Sequence, residues 1–158
     1  MKNVYLQWKT YLFWIALAEG IGLLAGLLTR DSTVLYSQMA VKPLSPPAWL
    51  FPAVWTVLYA LMGIGAARIS LTPESRDRSR ALNGFVAQLI VNFFWSLIFF
   101  NARAYGFALL WLLLLWLMII WMLLAFWKVD KKAALLQIPY FLWVTFAAYL
   151  NYGVWKLN

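Results

Sequence analysis

The sequence predicts an all-α membrane protein, a bundle of five transmembrane helices. Three observations carry that expectation. Hydrophobic residues fill 65% of the 158 positions and charged residues only 11%, against about 25% charged in soluble domains. A fold this small cannot hide so much apolar surface behind so few charges, and lipid removes the conflict. Of the five acidic residues, Asp31, Glu74, Asp77 and Asp130 lie in short polar segments between apolar stretches, and only Glu19 falls inside one. Finally, five segments reach the roughly 20 predominantly apolar residues that a membrane-spanning helix needs. The whole chain, residues 1–158, reads as one transmembrane domain.

The first predicted span runs over about 9–28 and is ended by Arg30-Asp31-Ser32. Lys2, Lys9 and the Ala16-Leu17-Ala18 run resemble a cleavable leader, but the apolar stretch continues through Leu28, which favours a retained helix. The connection 29–46 is the longest, is rich in turn formers and has no long apolar run. A long loop in so small a protein is a candidate lid. The second span, 47–68, follows prolines at 43, 46 and 47, which hold the incoming chain extended, and contains Pro52 early, where a missing amide costs least. The third and fourth spans cover 81–101 and 105–127, and the fifth covers 133–155. The connections from third to fourth and fourth to fifth are short, so those helices should be antiparallel neighbours. Pro139 is expected to bend the fifth span just before Tyr140 and Trp143.

Charge placement orients the chain. The N-terminus and the 68–80 and 128–132 loops carry nine Lys and Arg, and the opposite side carries four, among them Arg30, Lys42, Arg103 and Lys156. The positive-inside rule then puts the N-terminus in the cytoplasm and the first loop outside, in what is expected to be a bacterial cytoplasmic membrane. A net charge of +8 does not point to nucleic acid, because the basic residues flank apolar runs instead of clustering on one face. With neither cysteine nor histidine, disulfides, zinc sites, Cys or His nucleophiles and histidine-ligated haem are excluded, and no metal site is expected.

Polar side chains within the hydrocarbon must face protein, water or ligand. Gln88, Asn92 and Ser96 recur at helical spacing on the third span, with Trp95 and Phe99 beside them. Trp55, Tyr59 and Met62 form a stripe on the second, and Tyr140, Trp143, Ala147 and Asn151 lie close to one stripe on the fifth. These stripes can converge on a cavity with aromatic walls, suited to a flat, large, mostly apolar ligand. Two roles fit Gln88 and Asn92: hydrogen bonds between helices, at ~0.6–2 kcal/mol each, or ligand contact. Glu19 likewise fits a structural hydrogen bond or a ligand or proton role. Ala18, Gly22 and Gly26 make a small-residue ridge that permits close helix approach within the chain or across a homodimer. Trp111, Trp116, Trp121 and Trp127 do not share a stripe and read as packing or lipid-facing residues.

At these residues the sequence resembles the TspO/MBR family, the tryptophan-rich sensory proteins related to the mitochondrial translocator protein. The resemblance rests on Pro43 to Pro47 followed by Trp49, Pro52, Trp55, Leu58-Tyr59 and Met62-Gly63. It continues through Gln88, Asn92, Trp95 and Phe99-Phe100, then Pro139-Tyr140, Trp143, Phe146-Ala147 and Leu150-Asn151-Tyr152. Only Leu44 and Ser45 separate Lys42-Pro43 from Pro46-Pro47, where the family commonly has three residues, so Lys42 is shifted by one position. The resemblance implies a five-helix bundle, often dimeric, with a pocket under the first loop that takes porphyrins such as protoporphyrin IX and haem. Pocket residues carried over are Trp55, Trp143, Asn92 and Ala147, with Tyr36 as the first-loop aromatic. Leu150, Tyr152 and Lys156 match the cholesterol-recognition pattern, which is weak in general.

Three functions follow as expectations. The leading one is a tetrapyrrole-binding sensor or regulator that needs no cofactor, the tetrapyrrole being its ligand. Trp55 and Trp143 would stack on the macrocycle while Gln88 and Asn92 touch its polar edges, and Tyr59, Trp95, Tyr140 and Ala147 complete the site. With no histidine, flat stacking suits this chain better than iron ligation. The alternatives are light- and oxygen-dependent breakdown of protoporphyrin IX, with Trp55 and Trp143 as the reacting indoles, and transport of porphyrin, sterol or lipid. Five spans without an internal repeat speak against alternating access.

Overall fold

The computed structural model describes residues 4–40 and 43–158, so Lys2 and Lys42 lie outside the described residues. Helix α1 spans Val4–Leu28, α2 Ser32–Gln38, α3 Leu50–Ser70, α4 Arg76–Ser96, α5 Tyr105–Val129, α6 Lys131–Leu135 and α7 Ile138–Leu157. A π-helical turn, Leu97–Asn101, prolongs α4. Five segments are long and apolar enough to cross a membrane: Val4–Leu28, Leu50–Ser70, Arg76–Asn101, Tyr105–Val129 and Lys131–Leu157. Their boundaries depart from the sequence expectation for identifiable reasons. The first helix begins at Val4 and not near residue 9, where Lys9 sits over the Tyr5 ring at 4.3 Å and remains within the helix. The third span, α4, begins at Arg76 instead of 81, because the Ser75 hydroxyl accepts the Arg78 amide at 3.0 Å and caps it. Arg76 to Arg80, expected as loop, form its polar first turn.

The last span is broken where a bend was expected. Asp130 caps α6 by accepting the amides of Lys132 and Ala133 at 2.8 and 3.3 Å, and the chain turns at Leu136-Gln137 before α7 starts. Pro139, at the second position of α7, brings no amide to continue α6 and fits a first helical turn, so helix restarts there. The buried Gln137 bridges the break, its amide donating to the carbonyls of Leu61 and Ala133 at 3.2 and 3.3 Å. Beside it, Arg68 of α3 pairs with Asp130 at 2.7 Å. The first connection, rich in turn formers, contains α2, and its Tyr36, Met39 and Ala40 fold back onto the bundle.

The long helices pack in the ring order α1, α3, α7, α5, α4, which closes through α1 and α4. The short connections do give neighbouring pairs, α4 with α5 and α5 with α7. Helices α1 and α3 approach backbone to backbone, since a Cβ at Gly63 would lie 2.5 Å from the Ile15 Cα. Ala18 is buried and Gly22 abuts the Tyr59 ring, leaving no room for a side chain. Of the two uses open to the ridge, close approach within the chain is the one seen at Ala18 and Gly22, and Gly26 borders the cavity described below. The α5 tryptophans behave as read: Trp111 donates to the Val91 carbonyl at 2.7 Å and Trp116 to Thr145 at 2.8 Å, while Trp121 and Trp127 remain largely exposed on the outer face.

Candidate functional site

A cavity of about 380 Å³ opens inside the end of the bundle that carries α2. Four helices meet there at matching depth. Glu19 lies nine residues from the end of α1, Tyr59 nine from the start of α3, Asn92 nine from the end of the π turn, and Ala147 ten from the end of α7. At 1.5 Å per residue the floor sits roughly 13–15 Å below the helix ends. Trp55 and Phe51 of α3 make one wall, and Trp95, Phe99 and Phe100 another. The π turn explains the second wall, because its extra residue per turn lets consecutive phenylalanines border one space. Ala147, with only a methyl group, leaves the volume open.

Tyr36 forms part of the roof. Its hydroxyl donates to the Pro46 carbonyl at 3.1 Å and its ring meets Phe51 at 4.8 Å. Burial raises its pKa above the ordinary phenol value, offset in part by nearby Ser45. Two further ties hold this loop. Tyr149 donates to the Pro43 carbonyl at 3.2 Å. Asn158 accepts from the Ala40 amide at 3.2 Å and donates to its carbonyl at 2.9 Å. The loop is a latched cover over the aromatic walls.

Behind the floor runs a directional chain of hydrogen bonds. Tyr59 donates to Asn92 at 3.3 Å, Asn92 to the Tyr140 oxygen at 2.8 Å, and Tyr140 to Gln88 at 2.7 Å. The chain ends with the Gln88 amide on the Met62 sulfur at 3.8 Å. Gln88 and Tyr140 are fully buried behind the cavity and bind helices together, so for Gln88 the interhelical role is the one realised. Asn92 does both, tying three helices and lining the cavity. Trp95 is fixed by its N–H on the Asn151 oxygen at 3.2 Å, and Asn151 in turn donates to the Tyr105 carbonyl at 2.8 Å.

Of the expected site residues, the structure brings Tyr36, Trp55, Tyr59, Asn92, Trp95 and Ala147 to this cavity, together with Glu19. It does not bring Trp143. That indole packs against Phe51 at 5.8 Å and Phe146 at 5.7 Å and borders an apolar groove on the outside of α3 and α7, with Val57, Leu61 and Pro139. Trp143 follows Tyr140 by three residues, and the helix rotation that buries Tyr140 turns it outward. The residues of the sterol pattern also part company: Leu150 is buried at the cavity, whereas Tyr152 and Lys156 lie on the exposed face, Lys156 over the Trp155 ring at 4.2 Å. Phe51, Thr29, Ser32 and Thr33 line the cavity without having been anticipated. Spacing within α3 could have found Phe51, four residues before Trp55. The other three depend on how α2 folds back. Among the described residues no group of His, Cys, Asp and Glu is placed to hold a metal ion.

Known proteins are similar to this chain in sequence. The TspO/MBR family profile matches residues 14–156. Protein CrtK of Rhodobacter capsulatus is 43% identical over 114 residues, covering 72% of this chain and 71% of its own. The tryptophan-rich protein TspO of Chlorobaculum tepidum is 36% identical over 146 residues, covering 91% and 92%. The translocator protein of Ovis aries is 36% identical over 125 residues, covering 78% and 74%.

Proposed function

Because the chain belongs to the TspO/MBR family, we propose that it binds a tetrapyrrole such as protoporphyrin IX or haem in the cavity under α2, as an integral membrane sensor or regulatory protein. The observation that carries this reading is the cavity itself: aromatic walls from α3 and from α4 with its π turn, a floor fixed by a hydrogen-bond chain, and a latched cover. Flat aromatic surfaces reward a flat aromatic ligand through offset stacking and apolar burial. Trp55 and Trp95 are the stacking indoles of this site. Trp143 contributes from outside, by supporting Phe51.

The test is quenching of intrinsic fluorescence by protoporphyrin IX in detergent. Trp55→Ala should weaken binding at least tenfold, whereas Trp143→Ala should change it no more than threefold. Equal affinity in wild type and Trp55→Ala would remove the cavity as the binding site. For orientation, the excess of Lys and Arg at the α6 end supports an N-terminus in the cytoplasm and α2 outside. A lone cysteine at Ser37→Cys should then react with an impermeant maleimide added from outside; labelling only from the cytoplasmic side reverses the assignment.

A further inference from the structure

The hydrogen-bond inventory of the cavity is one-sided. Most of the hydroxyl and indole donors that line it are already engaged elsewhere in the chain. The hydroxyls of Thr29, Thr56 and Ser96 donate to the carbonyls of Ala25, Pro52 and Phe93 at 2.8, 2.8 and 2.9 Å. Tyr36, Tyr59 and Trp95 have spent theirs on the partners named above, and Asn92 and Asn151 have each spent one of two amide N–H groups. What the hydroxyl and amide oxygens among these groups present to the cavity is lone pairs, while the Trp95 indole has none to offer. Among the described lining residues, the donors left over are Ser32 and Thr33 at the roof, the Trp55 indole in the wall, and the second amide N–H of Asn92 and of Asn151.

Glu19 adds to the asymmetry at the floor. It borders the cavity at the level of Tyr59 and Asn92. No Lys or Arg stands among the described lining residues. An ionised carboxylate at such depth needs a counter-charge or several donors, and the Tyr59 hydroxyl and one Asn92 N–H beside it are committed along the chain towards Gln88. The missing complement is one that a ligand can bring.

We infer that the cavity floor is a cation and N–H subsite, in which Glu19 is the counter-ion and the Tyr59 and Asn92 oxygens are acceptors. The ligand class is a planar aromatic molecule whose leading edge carries a protonated amine, amidine or ring N–H. A carboxylate cannot occupy this floor without facing Glu19, so any acidic substituent is directed to the roof, where Ser32 and Thr33 can donate. The inference rests on the cavity being the ligand site, and it sets polarity and orientation within it. Glu19 is a specificity residue here.

The experiment uses two probes with one ring frame, 9-aminoacridine, cationic at neutral pH, and acridine, neutral there, titrated by tryptophan quenching into the detergent-solubilised chain. Wild type should bind the cation at least tenfold more tightly than the neutral ring. In Glu19→Gln, of nearly the same size, the preference should fall below threefold with acridine affinity unchanged, and Glu19→Asp should retain part of it. A preference of the same size in wild type and Glu19→Gln, or none in wild type, overturns the inference. Size-exclusion profiles and acridine affinity identify a variant that has not folded, and Glu19→Asp then decides: an undiminished or absent preference in it overturns the inference, and a reduced one upholds it. Protoporphyrin IX is titrated into the same samples, so a chain that discriminates the acridines but ignores the porphyrin loses only the tetrapyrrole reading.

Discussion

The two ends of this bundle are built from the same helices and fill their interiors in opposite ways. Towards α6, the space between α3, α4 and α5 is closed by large side chains, Phe85, Phe126, Met122 and Ile69, all fully buried, and the rim is tied by Arg68–Asp130 and Gln137. Towards α2, the corresponding inward positions hold Gly22, Gly26, Ala48 and Ala147, and the aromatic rings stand around the space instead of in it. Between them lies the Tyr59–Asn92–Tyr140–Gln88 chain, a polar partition that holds α3, α4 and α7 at fixed spacing. One end is a foundation and the other a receptacle, and residue size at a few inward positions decides which.

Substitutions on either side of the partition should separate stability from binding. Phe85→Ala in the filled end leaves a void in close-packed surroundings and should cost about 3 kcal/mol, read as lowered thermal stability in detergent, with porphyrin affinity within a factor of two. Tyr140→Phe strikes the partition itself. It leaves Gln88 without its donor and Asn92 without its acceptor, at about 2 kcal/mol, and it should lower both thermal stability and affinity, since Asn92 and Tyr59 lose their anchor. Equal loss from Phe85→Ala and Tyr140→Phe in the binding assay would dissolve the distinction.

Smaller effects are expected at the cover. Tyr36→Phe removes one partly buried hydrogen bond, worth about 1 kcal/mol, and should speed porphyrin dissociation about fivefold in stopped-flow measurements. Burial raises the Tyr36 pKa, which fixes the sign of the pH response. The hydroxyl's contribution to closure is complete below the ordinary phenol value of about 10, and it is lost as pH rises through the higher value of the folded form. Dissociation should therefore quicken only in strongly alkaline buffer, and Tyr36→Phe should show no such rise. Smallest of all is Trp143→Ala, whose indole faces the outer groove.

Much of this plan was legible in the residues. The five spans follow from apolar length alone, and of the stripes on the second and third spans, Trp55, Tyr59, Asn92 and Trp95 line one cavity. Features that depend on local backbone geometry were not legible. The π turn has no sequence signal that separates it from regular helix, yet it places both Phe99 and Phe100 at the wall. The break before Pro139 sets the rotation of α7, and with it the burial of Tyr140 and the outward turn of Trp143; a continuous bent helix suggested that both faced inward. The short α2 lacks the apolar period that betrays a span, and no hydrogen bond from the Asp31 side chain caps it. Glu19 was conspicuous as a charge in an apolar run, but only the structure shows that the neighbouring Tyr59 hydroxyl is committed to Asn92.

Filling the receptacle while leaving the foundation intact is the most direct test. Ala147→Phe places a ring where the cavity owes its volume to a methyl group. The protoporphyrin IX dissociation constant of this variant, titrated by tryptophan quenching alongside a melting curve, should rise at least twentyfold with thermal stability near that of wild type. An unchanged dissociation constant in a folded Ala147→Phe protein would contradict the assignment of the ligand to this cavity.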